Sequence, residues 1–121
     1  MNVSPVAFRE LVAAALDGLP EQWQEPLGQV VVLVEEQASP DELEAAGFAA
    51  TEGADLLGLY VGVPLTERGA LDDGLPDRIM IYRLPILAIC RSDAEVVQEV
   101  QDTVLHELGH YFGLLEDDLP F

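Results

Sequence analysis

The chain has 121 residues, half of them hydrophobic, enough for a single domain (1–121) around one modest core. Twenty-three acidic residues face five basic ones, all arginine, for a formal net charge of -18. That balance excludes a nucleic-acid binder, which needs clustered Lys and Arg against phosphate, and a protein drawn to an anionic membrane surface. It reads first as an acidic surface that keeps the protein soluble; it is also compatible with metal-cation binding, without saying where, and its field would steer a cationic partner or substrate inward.

No apolar run approaches the roughly 18 residues of a membrane-spanning helix. The first periodic stretch, Val6 to Leu16, carries Arg9 and Glu10 in its middle, unlike a signal peptide. The one cysteine, Cys90, permits no intrachain disulfide, and a reducing compartment suits it. The expected location is the cytoplasm. Cys90 follows the apolar run Ile86 to Ile89 and reads as a buried small hydrophobe rather than a nucleophile.

The first predicted element is a helix. Ser4 is its N-cap, and Pro5 stands at the first helical position, where a missing N–H costs nothing. Val6, Leu11, Ala14 and Ala15 form its apolar face with Phe8 and Val12 beside it, and Gly18 and Pro20 end it. Glu21 to Gly28 reads as a connector carrying the only tryptophan, Trp23. Val30 to Val34 is a continuous β-branched and apolar run, the pattern of a strand covered on both faces. Ser39-Pro40-Asp41-Glu42 is a capping box opening a short helix that ends at Gly47.

Leu56 to Leu65 reads as a second strand, and its two glycines and Pro64 suit an edge or bent strand. Thr66 to Asp77, rich in Gly, Asp and Pro, is the longest loop. Arg78 to Arg83 is a third strand. Pro85 interrupts, and Ile86 to Ile89 is either a short strand or the entry to the last helix. A second capping box, Ser92-Asp93-Ala94-Glu95, opens that helix. Val96, Val97, Val100, Val104, Leu105 and Leu108 follow at helical spacing, with the stop at Gly113. The order predicts a small α+β or α/β sandwich.

The chain's only two histidines, His106 and His110, stand four apart in this helix as His106-Glu107-Leu108-Gly109-His110. Four residues turn a helix by about 400°, so both rings project from one face, one turn apart. Two imidazole nitrogens at that spacing reach one ion at about 2.0–2.1 Å, and zinc suits such ligands. Glu107, adjacent to the first ligand, can sit beside a water on such an ion without ligating the metal. A bound ion would lower that water's pKa to about 7, and Glu107 would accept its proton as general base.

A catalytic zinc needs a third protein ligand. With no third histidine it is acidic. Gly113 can turn the chain sharply and bring Glu116 back to the metal, with Asp117 and then Asp118 as alternatives. For the developing oxyanion the candidate donors are Tyr60, Tyr82, Tyr111 and Arg83. Asp102 and Glu99, four and seven residues before His106, can steady a ligand histidine through its second nitrogen or be surface charges.

The run from His106 to Glu116 resembles the extended zinc motif His-Glu-x-x-His-x-x-Gly-x-x-(His/Asp) of metzincin-type peptidases. Nearly the whole chain is similar to a small bacterial zincin-like metallopeptidase family, first catalogued as a domain of unknown function. The similarity rests on the segments Gly58 to Arg68 and Pro76 to Ile86 and on the motif helix with Tyr111-Phe112-Gly113. It implies a minimal zincin-like fold, a small mixed β-sheet packed on a backing helix and an active-site helix. It also implies zinc as cofactor and a peptide or protein as substrate.

Two departures stand out. The eleventh motif position, usually Asp in such relatives, is Glu116, one methylene longer. Metzincins carry a methionine turn beyond the motif, but this chain ends at Phe121 and its methionines are Met1 and Met80. A shallower cleft than that of a large peptidase is therefore expected. The functional reading is a zinc-dependent metallopeptidase. The alternative is a non-catalytic zinc-binding or peptide-binding module, and a third reading is a hydrolase whose cleft a partner chain completes. In zincins an edge strand lines the cleft and pairs with extended substrate. Here Leu56–Leu65 and Arg78–Arg83 are the two candidates.

Overall fold

The structure, a computed structural model, describes residues 1–62 and 77–111. Helix α1 (Pro5–Asp17) begins where the sequence says: the Ser4 hydroxyl accepts the Ala7 N–H at 3.1 Å, and Gly18 closes the helix. Helix α2 (Glu21–Leu27) occupies the expected connector, a correction to the sequence reading. Pro20 at its cap and Pro26 within it disguise a helix of seven residues. Gln24 makes it viable by donating to the α1-side carbonyls of Leu16 and Leu19, at 3.1 and 3.0 Å.

Strand β1 (Val30–Glu35) is followed by α3 (Pro40–Ala45), whose capping box forms both reciprocal bonds between Ser39 and Glu42. A 3₁₀ turn at Ala50–Ala54 leads to β2 (Gly58–Val61). After β3 (Asp77–Tyr82) the chain enters α4 (Arg83–Ile89) directly. The segment left open as strand or helix entry is thus a helix of its own. Pro85 sits in its first turn, where an N–H has no partner to lose. The last described element is α5 (Asp93–Tyr111), with the Ser92 hydroxyl accepting the Glu95 N–H at 3.1 Å. Its expected stop, Gly113, lies outside the described residues.

The sheet order is β1-β3-β2, with β1 parallel and β2 antiparallel to β3. Side chains alternate across it, so Val30, Ile79 and Ile81 face one way and Met80 and Tyr82 the other. The first face meets α1 and α5. Phe8, Val12 and Ala15 of α1 pack with Val96, Val100, Val104 and Leu108 of α5 in one cluster. Those four α5 residues are fully buried, and each contributes about 1.5–3 kcal/mol of hydrophobic stabilisation. Gln101 ties the two helices further by donating to the Ala15 carbonyl at 3.0 Å.

The opposite face carries a smaller cluster of Ala38, Leu43, Leu59, Met80 and Tyr82. Here β1 departs from expectation. It is not covered on both faces, because Val31 and Leu33 stay 40% exposed. An apolar run cannot say that its strand will lie at a sheet edge, and among the described strands β1 does. The architecture is α+β, a small mixed sheet against a backing helix (α1) and the motif helix (α5). Among the described residues no helix is long and apolar enough to cross a membrane.

Candidate metal centre

The placement of the site follows from the rotation of α5. Its Val96, Val100, Val104 and Leu108 stripe is fixed on the core. At about 100° per residue, His106 and His110 then emerge together on the far flank, and Glu107 lies at the border between flank and core. The burial agrees: both histidines are partly exposed, whereas Glu107 is 9% exposed. The two rings stand 5.4 Å apart between centroids and are tilted by 47°.

One ligand atom each from His106, Glu107 and His110 lies within 4.8 Å of the others. Two imidazole nitrogens on one tetrahedral zinc are about 3.3 Å apart, given bonds of 2.0–2.1 Å. Small side-chain rotations therefore bring this pair to one ion, the two imidazoles suit zinc chemically, and the Glu107 carboxylate stands close beside them without being needed as a ligand. The group was legible from the motif, and the fold brings it together. Glu116, Asp117 and Asp118, the three candidates for the acidic third ligand, lie outside the described residues.

The group opens on a cleft of about 640 Å³ between α5 and the stretch from Ala46 to Tyr60. One wall is the α5 flank, with Glu99, Asp102 and Thr103 beside the motif, and the other includes β2. Of the two strands considered for this role, β3 is the central one, which leaves β2 as the strand at the cleft. Its approach to α5 is very close. A methyl group placed on Gly58 would sit 2.5 Å from the Thr103 Cγ2 and 2.9 Å from the Met80 carbonyl oxygen. Only glycine fits, for reasons of space rather than of backbone angle.

That closeness has a consequence at Glu107. Its Oε1 accepts the backbone N–H of Tyr60 at 2.8 Å, a contact spanning 47 positions of sequence. A nearly buried carboxylate requires such a donor, since desolvation without one is costly. Sequence reading missed this contact. Its one local signal was Gly58, which reads equally well as a bend.

The remaining candidates are dispersed. Tyr60 donates its hydroxyl to the buried Asp77. Tyr82 lies in the cluster on the opposite face of the sheet and donates to Glu42 at 3.3 Å. Burial, then the charge and hydrogen bond of Glu42, push its phenol far above the usual range. Arg83 holds Glu36 with bonds of 2.7 and 3.1 Å and reaches the Val3 carbonyl. It ties the chain's start to α4 and is absent from the cleft lining. The side chain of Tyr111 is outside the description. Asp102 accepts from Gln98 at 2.9 Å and is exposed, a surface charge on the cleft rim. Glu99 is half-buried in the cleft, and burial, then the neighbouring Asp102, raise its carboxyl above the ordinary value. Cys90 is buried and is not part of this site.

Comparison with known proteins agrees with this geometry. A family model described as zincin-like metallopeptidase matches residues 27–120. Among solved structures, the chain is similar to a conserved hypothetical protein from Thermus thermophilus, with 27% identity and a TM-score of 0.58. That similarity covers 91% of this chain and 94% of the other. The search of curated proteins finds no match. With the family model spanning most of the sequence and the His-Glu-His group assembled on α5, the chain belongs to the zincin-like metallopeptidase family.

Proposed function

We propose that the protein is a zinc-dependent peptidase in which His106 and His110 hold the metal and Glu107 is the general base. The observation that carries this reading is the convergence of these three side chains at a cleft bordered by β2. The third ligand is proposed to be Glu116, on the motif spacing alone, with Asp117 and Asp118 as alternatives. Bound zinc supplies Lewis acidity, which polarises a carbonyl and makes a water acidic enough to be deprotonated near neutral pH.

The chain's own residues do the rest. An extended substrate adds to the outer edge of β2, with main-chain hydrogen bonds holding the scissile peptide near α5. A Glu107 carboxylate oxygen takes the proton of the attacking water, and the same group can pass it to the departing amine. The acidic cleft wall of Glu99 and Asp102, and the net charge of -18, favour a substrate carrying positive charge. Small or unfolded cytoplasmic proteins are the proposed substrates, consistent with one buried cysteine and no disulfide.

The test combines metal analysis with cleavage of a broad peptide library. Stoichiometric zinc and cleavage are expected. Glu107→Ala should keep the metal and lose hydrolysis by about 10²–10⁴-fold, the range general-base catalysis contributes. His110→Ala should lose both. Zinc without any cleavage by the native protein would instead favour a non-catalytic zinc-binding or peptide-binding module. No stoichiometric divalent metal would sink the peptidase and zinc-binding readings and leave only a peptide-binding module.

A further inference from the structure

Strand β2 does more than line the cleft. In an antiparallel pair, residues alternate between bonding the neighbour strand and turning their N–H and C=O away from it. The Tyr82 N–H donates to the Leu57 carbonyl at 3.0 Å, so Leu57, Leu59 and Val61 are the residues bonded to β3. Gly58 and Tyr60 therefore turn their backbone groups outward, toward α5 and the cleft. The outward N–H of Tyr60 is the one that meets the Glu107 Oε1 at 2.8 Å. The contact depends on Gly58, where β2 and α5 approach so closely that a Cβ would collide with the Thr103 methyl.

We propose that the Tyr60 backbone amide is a positioning group for Glu107. It anchors one carboxylate oxygen, so that the side chain is held in one rotamer with its other oxygen directed to proton transfer. The proposal rests on the reading of Glu107 as general base. A lone glutamate on a helix flank has three side-chain torsions to settle. A charge-assisted bond to a rigid backbone donor removes that freedom and compensates the carboxylate's burial.

The test is hydrogen exchange and NMR on the metal-free protein. An outward amide on an edge strand ordinarily exchanges fast. Here the Tyr60 amide should exchange at least tenfold more slowly than in Glu107→Ala, while the Leu59 and Met80 amides keep their protection. Glu107→Gln, which retains an acceptor oxygen, should restore most of it. In the unsubstituted protein a scalar coupling across the hydrogen bond should link the Tyr60 nitrogen to the Glu107 carboxylate carbon. Fast Tyr60 exchange in the unsubstituted protein, or no such coupling, overturns the anchor without reference to any activity. With the zinc-loaded protein, Tyr60→Pro removes the N–H, whereas Tyr60→Ala keeps it. The proline variant should lose at least tenfold in kcat relative to the alanine variant, with similar KM and zinc content. Equal kcat in the two overturns the positioning role. If the unsubstituted protein cleaves nothing, the peptidase reading fails, and the exchange data still decide the anchor.

Discussion

Replacing Gly58 by alanine is the sharpest perturbation of the site that leaves its chemistry in place. The added Cβ would stand 2.5 Å from the Thr103 Cγ2 and 2.9 Å from the Met80 carbonyl oxygen. Carbon atoms in contact rest at about 3.5–4.0 Å, so β2 and α5 must part by roughly 1 Å. Neither neighbour yields easily. Threonine has two χ1 rotamers in a helix, but Thr103 is buried, so turning its methyl aside meets packed atoms, and the carbonyl belongs to the central strand. Overpacking of this kind costs about 1–3 kcal/mol. A chain of this length has roughly 6–18 kcal/mol of stability, so the variant still folds. Its melting temperature should fall by roughly 5–15 °C.

The same 1 Å acts on function. Added to the 2.8 Å between the Tyr60 nitrogen and Glu107 Oε1, it takes that contact beyond hydrogen-bonding range. Peptide cleavage should fall about tenfold or more at temperatures where the variant is fully folded, with zinc content unchanged. Thermal unfolding by circular dichroism and a fluorogenic peptide assay read the two effects. Gly28→Ala is the control. Gly28, at the end of α2, has φ -67°, and a Cβ there would come no closer than 3.3 Å to the Glu25 carbonyl oxygen, so alanine is tolerated at a position that does not line the cleft. A Gly58→Ala protein as stable and as active as the parent would refute the argument that space between β2 and α5 sets the site.

Three further outcomes are expected. Zinc at a hundredfold above its Kd should stabilise the fold by about 2.7 kcal/mol, roughly 10 °C in a thermal scan. A chelator should reverse that gain and His106→Ala should abolish it; a parent protein whose melting ignores zinc contradicts the metal site. Burial, then the charge and hydrogen bond of Glu42, raise the Glu35 carboxyl above its ordinary value, with Arg78 pulling it back. The native state then holds more protons than the unfolded chain. The stability from Glu35 is fully present below the unfolded pKa and is lost as pH rises through the folded one. Glu35→Gln should accordingly raise the melting temperature at pH 7, with the gain shrinking toward pH 4; a gain that grows on acidification has the wrong sign. Cys90 is 5% exposed, and burial followed by Glu99 and Glu95 pushes its thiol up. It should react with an aromatic disulfide only as fast as the protein unfolds, and rapid native-state labelling at pH 7.5 counts against its burial.

How much of this was legible in the sequence depends on how local each cause is. The helices α1, α3 and α5 could be read because their caps, Ser4, Ser39 and Ser92, and their apolar spacing act within a few residues. Helix α2 could not, because its support comes from the Gln24 side chain reaching carbonyls outside it and from Trp23 packing on the core. The strands were recognisable as strands, but their order was not. That β3 lies between β1 and β2 follows from pairings across long stretches of chain, which no run of β-branched residues encodes. The misreading of β1 as covered on both faces has the same origin.

The candidate site divides along the same line, and the division bears on what a motif can mean. Histidines four apart on a helix share a face whatever the rest of the chain does, so the pair His106 and His110 is a property of α5 alone. A base needs more than identity. Its carboxylate must be aimed, and aiming requires a partner fixed in space. For Glu107 that partner is the Tyr60 amide, 47 positions away, made accessible by a strand that turns Tyr60 outward and by a glycine that lets the strand come close. The pentapeptide on an isolated helix would present the same three side chains without that aim. It should bind zinc weakly and hydrolyse nothing. In the proposed mechanism the sheet's contribution is therefore chemical as well as structural: β2 borders the cleft and supplies the hydrogen bond to Glu107.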